Sequence, residues 1–304
     1  MVATREVTVL AVGGTGESFT GDTGTRVRGM LQAVTDRLDD RFDARWVGYP
    51  SSYGPAPTFD GISYADSVSA GVAALAEAIA ATEGPVMLIG YSQGAAVIRT
   101  LIAHPSAFRL LERVAAVGFV ADPNQPRGAV AGCTGWGVAG PGGGLPDDLP
   151  AYWVGAASDM ICNASEDSLI RDIADLTDSL SLTQVRRSLT DATARVMSRR
   201  MQNADATRVA PAQWQRDLTR LRTAAREVAG YLPSQIELGR WRLSNRSGGR
   251  HVSYATEPYR RAPLTDPEVT GCQTLAHWLQ LQATMGELDR SVRESGQQPR
   301  SSGE

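Results

Sequence analysis

Lysine is absent from this 304-residue chain: all 30 basic residues are arginine. Without a lysine amine, no Schiff base can form with a carbonyl substrate or with pyridoxal phosphate. A Walker A phosphate loop cannot be completed, because it requires that lysine. The Ser-x-x-Lys acylases and the lysine-dependent kinases are excluded on the same ground. Arginine codons can be GC-rich and lysine codons cannot, so the bias suits a high-GC bacterium or one of its phages. Cysteine is scarce, with only Cys133, Cys162 and Cys272. An odd count without metal-ligand spacing indicates neither a disulfide framework nor a zinc site. No metal or cofactor is expected. No apolar run approaches the roughly 18 residues of a membrane-spanning helix. A formal net charge of −3 offers nothing to a polyanion, so no nucleic-acid partner is expected. The N-terminus passes through Arg5 and Glu6 straight into an apolar run, unlike a secretory leader.

What is present alternates between two periods. Val7–Val12 is apolar and β-branched, and ends in Gly13-Gly14-Thr15-Gly16. Helical spacing follows over 25–40, a strand over 42–48, an alanine-rich helix over 63–82 and a buried strand over 86–89. A helix over 93–103 and strands over 114–121 and 151–156 complete the pattern. Strands alternating with helices predict a parallel sheet covered on both faces. Residues 128–148 are rich in glycine and proline and read as an irregular loop. Between 164 and 240 the apolar spacing becomes wholly helical, with Trp214, Leu218, Leu221, Ala225 and Val228 on one stripe. A strand near 238–243 and a helix near 267–287 follow. The expected organisation is an α/β domain in two parts, 1–163 and 241–288, interrupted by an all-helical insertion over 164–240. A polar tail over 289–304 is expected to lack order.

The chemistry-bearing motif is Gly90-Tyr91-Ser92-Gln93-Gly94, between a predicted strand and a predicted helix. G-x-S-x-G in that context makes a sharp turn that presents the serine above the sheet. Glycine stands on both sides because side chains there would meet the neighbouring strand and helix. Ser92 is therefore the candidate nucleophile, and it needs a base. Three histidines compete. His104 lies at the far end of the helix that Ser92 opens, about 18 Å away at ~1.5 Å per residue. His277 sits within the last helical run. His251 follows the loop Ser247-Gly248-Gly249-Arg250, where a base that must meet the serine hydroxyl is expected, and lies well beyond the acid, as the chain order serine, acid, histidine requires. Two acids follow strands, Asp122 and Asp159. Position after the second strand beyond the nucleophile favours Asp159, and Asp122-Pro123-Asn124 reads as a turn. An oxyanion hole needs two backbone N–H groups. Gln93 would supply one, and the Gly13–Glu17 loop the other. That loop is not G-x-G-x-x-G, so dinucleotide binding is not expected.

Four motifs in order resemble those of the cutinase-like serine esterases, a group with the α/β-hydrolase fold: Gly14-Thr15-Gly16-Glu17, Gly90-Tyr91-Ser92-Gln93-Gly94, Ser158-Asp159-Met160-Ile161-Cys162 and His251-Val252-Ser253-Tyr254. Within that group the chain is most similar to the lysin B enzymes, phage esterases that cleave mycolic acids from arabinogalactan. Those enzymes carry a helical domain between the acid and the histidine, where the 164–240 stretch falls. The resemblance implies Ser92, His251 and Asp159 as triad and Thr15 with Gln93 as oxyanion hole. It places Tyr91 and Tyr254 near substrate. It implies a mycolyl-arabinogalactan or other lipid-ester substrate. Apolar residues of the insertion such as Leu180, Leu182 and Trp214 either line a path for the acyl chain or form the core of a helical bundle. The resemblance also implies synthesis in a host cytoplasm and action at the envelope after holin-mediated release. A cutinase-like lipase or an acyltransferase would use the same triad. A non-catalytic lipid- or wall-binding module is the other class, disfavoured by the intact triad. Cys162 matches a cutinase disulfide position, but Ala156, Ala157 and Ser158 stand where its partner would be.

Overall fold

The computed structural model describes residues 7–54, 61–166, 168, 170–171, 214–231, 234–238, 241–245, 248–259 and 267–296. Strands β1 (Val7–Val12), β2 (Phe42–Trp46), β3 (Val86–Tyr91), β4 (Val114–Val120) and β5 (Ala151–Val154) form one sheet in the order β2-β1-β3-β4-β5. Every pairing is parallel. Among the described residues the α-helices are α1 (Gln32–Thr35), α2 (Tyr64–Ala81), α3 (Gln93–Ile102), α4 (Phe108–Leu111), α5 (Trp214–Tyr231) and α6 (Gly271–Gly296).

Successive side chains of a strand face opposite ways, and two cores result. On β1, Val9 and Ala11 face the core beneath α1 and α6, whereas Leu10 and Val12 face that beneath α2 and α3. The register of β3 on β4 slips between Val86 and Met87, which pair with Val114 and Ala116. That bulge leaves Ala115 exposed, and Val114 and Ala116 enter opposite cores. Two glycines let α6 approach the sheet. A Cβ on Gly118 would lie 2.6 Å from Leu275, and one on Gly271 would lie 2.5 Å from Val154. Helix α2 starts where the Ser63 hydroxyl caps it, accepting from the Asp66 N–H at 3.1 Å.

Three expectations change. The 25–40 segment is not one helix: a short turn over Gly29–Leu31 leads into α1. Upstream, the Thr25 carbonyl accepts from the Trp46 N–H at 2.7 Å, and Arg28 reaches the Glu17 carbonyl at 3.0 Å. Those bonds and the left-handed Gly29 (φ 63°) oppose a helix there. Second, the strand near 238–243 is two strands, β6 (Gln235–Leu238) and β7 (Trp241–Ser244), paired antiparallel and apart from the main sheet. Third, α6 continues to Gly296, into the stretch expected to lack order.

Within 164–240, expected to be all helical, α5 covers the Trp214–Val228 stripe, β6 is a strand, and 172–213 lie outside the described residues. Ala224 and Val228 of α5 pack on Val138, Ala164 and Ile170. Glu227 accepts from the Ser165 N–H at 2.8 Å and from the Ser168 hydroxyl. Arg171, fully buried, donates to the carbonyls of Trp136, Gly137, Ala164 and Ser165 and stacks on Trp136. Its planar fork can serve four acceptors, which a lysine ammonium with three donors could not.

Candidate active site

The strand order reverses direction between β1 and β3, and ligands of open parallel sheets sit at the carboxyl ends of strands flanking such a point. The carboxyl end of β1 is the Gly13–Glu17 loop, and that of β3 is Ser92. A Cβ on Gly14 would lie 2.8 Å from the Tyr91 ring and 3.3 Å from Ser92 Cβ, so the two meet.

Ser92 has φ 51° and ψ −115°, a region that non-glycine residues avoid. The flanking glycines are required sterically. A Cβ on Gly90 would lie 2.7 Å from the Ala95 nitrogen, and one on Gly94 would lie 2.0 Å from the Val12 carbonyl. The Ser92 N–H is held by the Val120 carbonyl at 2.9 Å. The strain is thus imposed by β4 on one side and by α3 against β1 on the other.

His251 Nε2 lies 3.0 Å from Ser92 Oγ, and its Nδ1 lies 2.9 Å from Asp159 Oδ2. An ionised carboxylate only accepts, so Nδ1 carries the proton and Nε2 accepts from the serine hydroxyl. His251 rides on a 3-10 turn, Arg250–Ala255, which follows Gly249 in the left-handed region. Asp159 is fully buried. Its Oδ2 also accepts from the Tyr254 hydroxyl at 2.6 Å, and its Oδ1 from the Ile161 N–H at 3.0 Å. Burial pushes this carboxyl up, but His251, Tyr254 and Ile161 together pull it below the ordinary aspartate value.

The structure brings Ser92, His251 and Asp159 together and leaves the competitors elsewhere. Asp122 is fully buried and holds Arg99 at 3.4 Å, the Trp153 indole N–H at 3.0 Å and the Asn124 N–H at 2.8 Å. Burial drives its carboxyl upward against the pull of Arg99. His104 caps the turn Pro105–Ala107 and contacts Ser106 Oγ at 2.7 Å. His277 is exposed on α6.

Gln93 opens α3, so its N–H has no carbonyl four residues back within that helix. On either side of Thr15, the N–H groups of Gly14 and Gly16 are bonded, to Glu17 at 2.7 Å and to Ser51 at 2.8 Å. Thr15 Oγ1 donates to Gln93 Oε1 at 3.1 Å, and Gln93 Nε2 donates to the Ser52 carbonyl at 2.9 Å and to Ser67 at 3.1 Å. Those side-chain bonds tie the β1 loop to the first turn of α3.

Tyr91 and Tyr254 depart from the expectation that they touch substrate. Both are buried. The Tyr91 hydroxyl donates to the His251 carbonyl at 3.0 Å, and its ring stacks on the imidazole with centroids 5.2 Å apart. Tyr91 thus braces the histidine and Tyr254 the acid. Burial, with the Asp159 charge added, raises the Tyr254 phenol well above its ordinary value, so it stays a donor. Three further residues carried no assignment in the sequence. Glu17 accepts from the Gly14 and Met30 N–H groups and fixes the β1 loop. Ile161 offers its N–H to the acid. Tyr231, at the end of α5, places its ring 5.4 Å from the His251 ring. The glycine-rich loop ending in an acid was the one available signal, for Glu17. Cys162 is a buried thiol whose pKa burial raises. Leu180, Leu182 and the side chain of Trp214 lie outside the described residues.

A cavity of about 1130 Å³ opens beside Ser92 and is lined there by Thr15, Gln93 and Tyr231. Parallel sheet, strained serine turn and ordered triad define an α/β-hydrolase fold. A family model described as PE-PPE domain matches residues 41–139. Comparison with curated protein sequences gives no match. Among solved structures, an acetylxylan esterase is 22% identical with a TM-score of 0.43, over 62% of this chain and 100% of that one. Lysin B from mycobacteriophage D29 is 18% identical with a TM-score of 0.45, over 91% and 99%. A Trichoderma reesei cutinase is 21% identical with a TM-score of 0.35, over 62% and 73%.

Proposed function

We propose that this protein is a serine ester hydrolase acting on a lipid ester. The observation that carries this is the unbroken chain Ser92–His251–Asp159, at 3.0 and 2.9 Å, at the mouth of a largely apolar cavity. His251 Nε2 takes the hydroxyl proton as Ser92 Oγ bonds to the ester carbonyl carbon. The carbonyl π pair moves onto oxygen, and the N–H groups of Thr15 and Gln93 stabilise that oxyanion. On collapse the ester C–O bond breaks, and His251 gives its proton to the leaving alkoxide. Water then enters by the same route and releases the acid. Each oxyanion donor in such a site contributes about 3 kcal/mol to the transition state.

The substrate reading is finer: the ester joining mycolic acid to arabinogalactan, cleaved at the envelope after release from a phage-infected cell. Its support is the four motifs in order, with a helix-bearing segment between Asp159 and His251. The purified protein is expected to hydrolyse p-nitrophenyl butyrate and to be labelled by a fluorophosphonate, and Ser92→Ala to lose both. Turnover surviving in Ser92→Ala refutes the mechanism. Incubation with isolated mycobacterial cell walls should release free mycolic acids. Hydrolysis of the model ester without that release would refute the finer substrate alone.

A further inference from the structure

The cavity beside Ser92 is too large for a short acyl group. At about 1130 Å³ it exceeds the roughly 300–1,000 Å³ of ordinary small-molecule sites, and an acetyl group would leave nearly all of it to water. Its course follows from how α2 and α3 lie. Ser67, near the start of α2, accepts from Gln93 at the start of α3. One turn on, a Cβ placed on Gly71 would meet Val97 at 2.7 Å. The two helices therefore run side by side in the same direction, with a constant offset. By that register Ala76 lies beside Ile102, nine residues beyond Ser67 or about 13 Å at ~1.5 Å per residue.

The lining repeats with the helix. Val68, Val72, Ala73 and Ala76 of α2 and Ala96 and Thr100 of α3 line the cavity. The α2 positions, at steps of four, one and three, share one face. The face is mostly apolar, with Ser69 and Thr100 its small polar members and small side chains towards its far end, and no charged side chain of either helix lines it. Beyond α3 the lining continues over His104 and Ser106, both exposed, and on to Leu110. One end thus meets the nucleophile and its oxyanion donors, and the other opens to water.

We propose that the acyl chain of the substrate lies in this groove between α2 and α3, and that the small side chains at Ala73 and Ala76 admit chains reaching its far end. The proposal rests on the serine ester hydrolase reading and adds to it where the chain goes. A carbonyl held at Ser92 puts the chain's first carbons against Val68 and Ala96, its middle against Val72, and its tail against Ala76 and Thr100. Each methylene so buried is expected to raise kcat/KM roughly fourfold until the groove is filled.

The test compares p-nitrophenyl butyrate with p-nitrophenyl laurate, both kept as monomers, on the intact chain and on Ala76→Trp and Ala73→Trp. The readout is the laurate-to-butyrate ratio of kcat/KM, which does not depend on how much of a variant is folded. The intact protein is expected to prefer laurate at least tenfold. Each indole, placed in the far half of the groove, is expected to lower that ratio at least tenfold. A ratio unchanged in both variants overturns the groove, as does an intact protein without laurate preference. If the intact protein hydrolyses neither ester and Ser92 resists fluorophosphonate, the hydrolase reading itself has failed. Labelling at Ser92 together with an unmoved ratio confines the failure to the groove.

Discussion

Removing the Tyr254 hydroxyl isolates what holds the acid of the triad. Its 2.6 Å bond goes to Asp159 Oδ2, the oxygen that also faces His251 Nδ1. Both residues are buried, so water cannot replace it. A hydrogen bond to a charged group contributes about 1.5–3 kcal/mol net. Tyr254→Phe leaves the carboxylate with His251 and the Ile161 N–H, and removes the acceptor of the Ala156 N–H at 3.1 Å. If most of that stabilisation serves the ionised pair during turnover, kcat falls about 10- to 100-fold. KM should hold, because Tyr254 does not line the cavity. The sign with pH is definite. Asp159 sits below its ordinary pKa partly through Tyr254, so the variant's carboxylate becomes more basic. Stability follows the same linkage. A depressed aspartate stabilises the fold above its unfolded pKa of about 3.9, and that contribution is lost as pH falls through the folded value. The variant should lose it at higher pH. Steady-state kinetics from pH 5 to about 9 on p-nitrophenyl butyrate, with acid unfolding followed by circular dichroism, measures all of this. A lowered melting temperature with kcat unmoved would refute the reasoning and make the hydroxyl a packing feature.

Two further substitutions separate chemistry from scaffold. Gly94→Ala puts a methyl 2.0 Å from the Val12 carbonyl, a backbone atom that cannot turn aside, and should cost about 3 kcal/mol by denaturant titration; an unchanged midpoint would contradict the elbow packing. Asp159→Asn should lower kcat on the order of 10⁴-fold while the protein stays folded. Asp122→Asn should instead cost about 3 kcal/mol of stability, by leaving Arg99 buried without its anion, and keep most of kcat. The reverse pattern in those kinetics and titrations would exchange the roles assigned to the two aspartates.

The two aspartates also show how far the sequence reaches. Each follows a strand, and chain order favoured Asp159 because the sheet is parallel and wound outward from β1. What makes one an orienting acid and the other an anchor is their company. Asp159 meets donors from a turn about 90 residues away, whereas Asp122 meets Arg99 and Trp153 from neighbouring elements. The strand–helix alternation was legible because burial on both faces forces continuous apolar runs in β1, β3 and β4. The 25–40 segment misled because its apolar spacing is helical, while bonds to Glu17 and Trp46, invisible to periodicity, hold the backbone otherwise.

Local geometry also accounts for the positions of Tyr91 and Tyr254. Tyr91 is the last residue of β3, whose side chains alternate between faces. With Ser92 turned up at the elbow, Tyr91 drops into the core beneath α6 and meets His251 from below. Tyr254, three residues after His251 on a 3-10 turn, lies on the histidine's own side of that turn, where side chains at this spacing eclipse. Both rings are therefore directed at the triad by local geometry, and both hydroxyls reach groups that must not move during proton transfer. His251 is thus held through its carbonyl and ring face by Tyr91 and through Nδ1 by Asp159. Only Nε2 is left towards the nucleophile, which is the freedom a base shuttling one proton between serine and leaving group requires.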